Sequence, residues 1–123
     1  MSFRGFRQFD TVPHDWAGMV ALCQDAADAE RRLQPLADLC SWLAASPFTA
    51  AGLCGVKSMH DLIVGPSRDV LANPYLVISF DGATTFLLRY EDGSREPWSR
   101  RAEPAEIRDV LERFFVKRAR WYR

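Results

Sequence analysis

Two short runs of alternating hydrophobicity, separated by one turn signal, constrain this chain more than any other feature. Leu76, Ile78 and Phe80 alternate with Val77 and Ser79, and Phe86, Leu88 and Tyr90 alternate with Leu87 and Arg89. A period of two sends successive side chains to opposite faces of a strand, so each run offers one face to a core. Asp81-Gly82 between them is a hairpin signal, because both residue types tolerate the backbone geometry of a tight turn. A second turn follows at Glu91-Asp92-Gly93, and Ser94 to Ser99 is expected to supply a third strand, confined to an edge by Pro97. The expectation is an antiparallel β-meander.

Either side of the meander the period changes to that of a helix. Trp16, Met19, Val20, Cys23 and Ala27 fall at i, i+3, i+4, i+7 and i+11, which predicts an amphipathic helix over about 14–33, with its N-cap in the segment Thr11 to Asp15. Pro35 suits a helix restart, and Leu36, Leu39, Cys40 and Leu43 repeat the spacing until Ser46-Pro47 stops it. The N-terminal third therefore reads as a helical hairpin. Glu103-Pro104 opens a last helix, whose stripe of Ile107, Val110, Leu111 and Phe114 is expected to lie across the sheet. Burying those side chains contributes roughly 1.5–3 kcal/mol each before entropy is subtracted. Phe115 to Arg123 is a basic and aromatic tail that reads equally as a helix end or an edge strand. Between these regions Gly52, Gly55, Gly65 and Pro66 break residues 48–73 into short pieces. A strand near Gly52 to Met59 and a short helix near Ser58 to Val64 both fit there.

The fold class expected is α+β, in one domain covering residues 1–123, since 123 residues divided in two would leave each piece a marginal core. Sixteen basic and sixteen acidic residues cancel, so no global field draws the chain to nucleic acid or to an anionic membrane. The last eight residues nonetheless hold Lys117, Arg118, Arg120 and Arg123 with no acid. Three cysteines, Cys23, Cys40 and Cys54, form no close-spaced pair, which argues against a disulfide scaffold and for a reducing, cytoplasmic setting. The opening residues carry no apolar signal core and no run is long enough for a membrane helix.

Candidate chemistry is sparse. Cys54, His60 and Asp61 supply the residue types of thiol catalysis, but adjacency in sequence is poor support for a nucleophile and its base, and a structural cysteine beside a surface histidine explains them. Scattered cysteines and histidines lack the spacing of a zinc site. Gly52 to Ser58 fails the spacing of a phosphate loop and reads as a turn. No catalytic residue, metal or cofactor is expected. The tail combines cations with rings, the chemistry of single-strand nucleic-acid contact, although cations at a helix C-terminus are favoured by its dipole alone. Trp98, set among Arg95, Glu96, Arg100 and Arg101, is a candidate interface residue, with core packing the competing fate.

The segment LVISFDGATTFLLRYEDGSREPW, a hairpin with paired Asp-Gly turns, is followed by EPAEIRDVLERFF, a Pro-initiated helix. Over residues 75–123 this order of parts resembles small immunity proteins of bacterial polymorphic-toxin and interbacterial competition systems. The resemblance implies a non-enzymatic inhibitor that binds a cognate toxin in the cytoplasm and blocks its active site or its access to substrate. Such families share no catalytic residues to transfer. The surface expected to meet the toxin is the turn and edge region Asp81, Glu91, Asp92, Glu96 and Trp98, whose acids would oppose a basic cleft and raise the association rate. Two alternatives stand beside it. One is a small-ligand-binding or enzymatic α+β domain with a pocket between helices and sheet, lined by His60, Asp61 or Tyr90. The other is a homodimer paired through an edge strand or terminal segment.

Overall fold

The two alternating runs form the centre of a five-stranded sheet in the computed structural model, which describes residues 15–58, 61–71 and 74–122. The strands are β1 (Cys54–Ser58), β2 (Asp61–Gly65), β3 (Tyr75–Phe80), β4 (Phe86–Glu91) and β5 (Ser99–Ala102). All neighbours are antiparallel and the spatial order equals the chain order. Helices α1 (Trp16–Ala29) and α2 (Gln34–Ala44) form the expected hairpin, joined by a 3-10 turn at Arg31–Leu33. A single turn, α3 (Pro47–Ala50), leads into the sheet, and α4 (Ile107–Arg113) with a π-turn at Phe114–Arg118 follows it. The α+β class, the helical hairpin, the meander and the closing helix are thus all present.

Strand register divides the sheet into two unlike faces. Val64, Leu76 and Tyr90 align across β2, β3 and β4, as do Leu62, Ile78 and Leu88. These residues join Met19, Leu36, Leu39, Cys40 and Leu43 of the helices in one core. The stripe Ile107, Val110, Leu111 and Phe114 is buried in that core too, so all the longer helices lie on one face. The opposite face is covered only in part. There Val56, Ile63 and Val77 align across β1 to β3 and pack with Val70 of the β2–β3 connection, while Leu87 on β4 stays 41% exposed.

Gly55 sets how closely α1 approaches β1. A Cβ at this position would lie 3.2 Å from Met19 Cε and 3.3 Å from both Trp16 Cη2 and the Ile63 carbonyl oxygen. Trp16 also donates from its indole N–H to the Leu53 carbonyl at 2.9 Å, pinning the start of the helix to the edge of the sheet. Cys23 and Cys40, both buried, meet across the helical hairpin. Their thiol hydrogen bond lowers the pKa of Cys23 and, together with burial, raises that of Cys40.

Several expectations from sequence require correction. The first helix ends at Ala29 because Glu30 is extended (φ −134°, ψ 99°), while its N-cap falls within the expected segment, at Asp15, whose carboxylate accepts from Gly18 N–H at 2.6 Å. Thr11 and Pro13 lie outside the described residues. In residues 48–73 the strand option near Gly52 to Met59 is realised as β1, whereas the span of the helix option holds a second strand, β2, so the meander has five strands instead of three. The last strand begins at Ser99, not Ser94. Asp92 accepts from Ser94 N–H at 3.0 Å and keeps the preceding stretch in a turn, and Pro97, lacking an N–H, falls in that connection rather than in the ladder. The final helix starts at Ile107 because Pro104 to Glu106 form a turn, closed by the Glu106 carboxylate on Glu103 N–H.

The basic and aromatic tail folds back. Ala119 N–H donates to the Phe114 carbonyl at 2.8 Å, an i to i+5 bond that widens the last turn, and Trp121 N–H donates to the Phe115 carbonyl at 3.1 Å. Between them Arg120 takes a left-handed conformation at φ 58°. The reversal stacks Trp121 on Phe115, with centroids 5.7 Å apart, and brings Tyr122 within 5.5 Å of Phe48.

Candidate functional site

β5 and the C-terminal segment run beside one another at the edge of the core, and the space between them is a groove of about 530 Å³. Its floor is Trp98, Val110 and Phe114, and its walls are Arg100, Arg113, Lys117, Arg118 and Arg120. Val110, Arg113, Phe114 and Lys117 reach it together because i, i+3, i+4 and i+7 share one helix face. Trp98 and Arg100 reach it together because i and i+2 share one strand face.

Trp98 is held from three sides. Its carbonyl accepts from Tyr90 N–H at 2.9 Å, extending the β4–β5 ladder by one pair. Its ring packs on Phe114 at 5.0 Å and 30°. The Arg118 guanidinium sits over it, 5.6 Å from the ring centroid, a cation–π contact worth about 0.5–1 kcal/mol at an exposed site. The tryptophan therefore serves as both core and surface, half-buried with its remaining face in the groove.

Five cations and no acid line this groove in a chain whose formal net charge is zero. One of them is shared: Arg113 also pairs with Asp109 one turn earlier on the helix surface. Concave surfaces lined by one sign of charge focus potential and concentrate counter-charged ligands. Comparison with family models, curated proteins and solved structures returns no match. The groove is therefore read from its own chemistry: five cationic side chains set around the apolar surface of Trp98, Val110 and Phe114.

The residues expected to bind a partner do not form one patch. Asp81 sits in the β3–β4 turn, whereas Glu91 ends β4 at its other end and Asp92 and Glu96 lie beyond it, about 17 Å away at strand rise. Three of the four acids also make local bonds. Asp81 accepts backbone N–H bonds from Ala83, Thr84 and Thr85 at 2.7–3.0 Å, and these donors, Thr85 foremost, hold its carboxyl below the usual range. Ser94, through its side chain first and its N–H second, does the same for Asp92. Glu91 pairs with Arg89. Glu96 is exposed in the β4–β5 connection. Trp98 alone of the five belongs to the groove.

The thiol grouping is not assembled either. Cys54 pairs with Gly65 at one end of the β1–β2 hairpin and Asp61 with Ser58 at the other, about 13 Å apart; His60 lies outside the described residues. The Cys54 thiol donates to the Gly52 carbonyl at 3.3 Å. Between helices and sheet, Leu36, Leu39, Leu43, Leu62 and Val64 are each no more than 2% exposed, and the cavity of about 350 Å³ that lies there is lined by Pro35, Asp38, Leu39, Phe86, Ile107 and Arg108 and by neither Asp61 nor Tyr90. Tyr90 packs edge-on to Phe114 at 5.0 Å. Among the described residues no group of three or more His, Cys, Asp or Glu side chains is arranged to hold a metal ion, and no helix is long and apolar enough to cross a membrane.

Sequence reasoning singled out Trp98 and the cationic tail separately and did not join them. The signal that joins them is Arg100, two residues beyond Trp98 and hence on the same strand face. The left-handed turn at Arg120, which folds the tail back, has no glycine or asparagine to announce it.

Proposed function

We propose that this chain is a non-enzymatic protein-binding inhibitor of the immunity type, which engages its cognate toxin through the groove between β5 and the C-terminal segment. The observation that carries the reading is the convergence of Arg100, Arg113, Lys117, Arg118 and Arg120 around Trp98. Tryptophan and arginine are the residues most enriched at binding hot spots, and a half-buried ring set against the core costs little further entropy on binding. The complementary surface is acidic, the reverse of the basic cleft expected from sequence. Its acids would be drawn in by long-range attraction and anchored beside the Trp98 ring. A cytoplasmic site of action belongs to the same proposal.

The test is affinity capture from the native host at low salt, with the wild-type chain and an Arg113→Glu/Lys117→Glu variant in parallel. One dominant protein should be retained by the wild type, be lost from the variant and elute as salt is raised. Expressed alone, that protein should arrest growth, and co-expression of the wild-type chain should restore it. A partner held equally by both forms, or one whose expression is harmless, overturns the reading.

A further inference from the structure

We infer that the partner enters as an extended acidic strand that adds to the outer edge of β5, which pairs with no other strand among the described residues, a mode of binding that rests on the groove being the partner site. The ladder itself sets up the edge. Tyr90 N–H bonds the Trp98 carbonyl, and Arg89 pairs with Ser99, Leu88 with Arg100, and Leu87 with Arg101. Hydrogen-bonded and non-hydrogen-bonded pairs alternate in an antiparallel ladder, so Trp98, Arg100 and Ala102 direct their backbone groups at β4. Ser99 and Arg101 direct theirs outward. β5 is the last strand of the sheet, and among the described residues no strand pairs with its outer side.

The same alternation fixes the side chains. Arg100 points into the groove on the helix-covered face, while Ser99 and Arg101 lie on the opposite face with Leu87 and Arg89. A strand added to this edge would continue that pattern, sending every second residue toward Arg100, Lys117 and Arg113. Those residues are matched best by Asp or Glu. The intervening positions would extend the open face that carries Leu87, 41% exposed, and favour Thr or Val. Main-chain bonds then supply affinity and the groove supplies specificity, the division of labour seen in strand addition generally. A second copy of this chain is a poor occupant, because the groove-facing residue of its own β5 is Arg100 and like charges would oppose one another.

The test uses the full chain and a fluorescein-labelled peptide of alternating Glu and Thr, with an alternating Lys and Thr peptide and oligouridylate as controls. Anisotropy should rise with the Glu peptide only. N-methylating the peptide backbone at alternate residues should weaken binding about tenfold or more in one register and little in the other. Arg101→Pro, which removes an outward N–H while sparing the β4 ladder, should weaken binding similarly, and Arg101→Ala should not. Circular dichroism would establish that both variants fold. Loss with Lys117→Glu but indifference to Arg101→Pro and to N-methylation would refute strand addition and leave the groove reading intact. No response to the Glu peptide at any salt, tighter binding of oligouridylate, or concentration-dependent dimerisation that displaces the peptide would refute both.

Discussion

The Arg118 guanidinium lies over the Trp98 ring, 5.6 Å from its centroid, and Phe114 packs on the same indole at 5.0 Å, so a single ring couples the sheet edge to the π-turn. Trp98→Ala should therefore cost stability as well as binding. The expected loss is about 1–3 kcal/mol, below that of a fully buried tryptophan, measured by urea denaturation. Arg118→Gln removes only the cation and should change stability by less than about 1 kcal/mol. Similar losses from both variants would mean that the ring is held mainly by the guanidinium and not by the core.

Arg120 bears the strain of the chain reversal. A non-glycine residue in the left-handed region costs roughly 1 kcal/mol, so Arg120→Gly should raise the thermal midpoint even though glycine loses more entropy on folding. Arg120→Val, β-branched, should lower it. Since Arg120 also lines the groove, the glycine variant should be more stable yet bind an acidic probe less well, a separation that scanning calorimetry and anisotropy would reveal together.

Gly55 leaves no room for a branched side chain. With Met19, Trp16 and the Ile63 carbonyl all within 3.3 Å of the missing Cβ, Gly55→Val should cost about 1–3 kcal/mol through overpacking. Met19→Ala should relieve part of that clash, giving a favourable coupling in a double-mutant cycle. Strict additivity would place the clash at Trp16 or the Ile63 carbonyl instead.

The Asp81 turn should be sensitive to acid. Its carboxyl is held below the ordinary range by backbone N–H donors, so it stabilises the fold above the unfolded-state pKa of about 3.9 and loses that contribution as pH falls through the lower, folded value. Asp81→Asn should be less stable than the wild type at pH 7, with the gap closing below about pH 4. A gap that persists to lower pH would mean that turn geometry, not charge, sets the difference.

Much of this architecture was legible because period and burial coincide. Leu76, Ile78 and Phe80 face the core, as do Phe86, Leu88 and Tyr90, and the stripe from Ile107 to Phe114 is buried as its spacing requires. The same reasoning gave no decision at β1 and β2, where Gly55, Val56, Leu62, Ile63 and Val64 are all buried. Strands covered on both faces lose the alternation that identifies them. β5 was misplaced for a different reason: SRRA has almost no apolar content and is a strand only because β4 offers it a partner. The groove was illegible for the same cause as β5, since Trp98, Arg100 and Lys117 meet through tertiary placement. Of the acids in the turns, Asp81 and Asp92 also hold their own turns through backbone N–H groups, a role that charge alone does not announce.

Because each strand pairs only with its neighbour in the chain, the sheet can grow one hairpin at a time, at small loop-closure cost. The contact of Phe48 with Phe115, at 4.8 Å between rings, joins positions 67 residues apart by sequence number and can form only after the strands between them have contracted the chain. Hairpins are therefore expected to form early and the ring cluster late, so substitutions at Phe48 or Phe115 should accelerate unfolding far more than they slow folding, as stopped-flow kinetics would show.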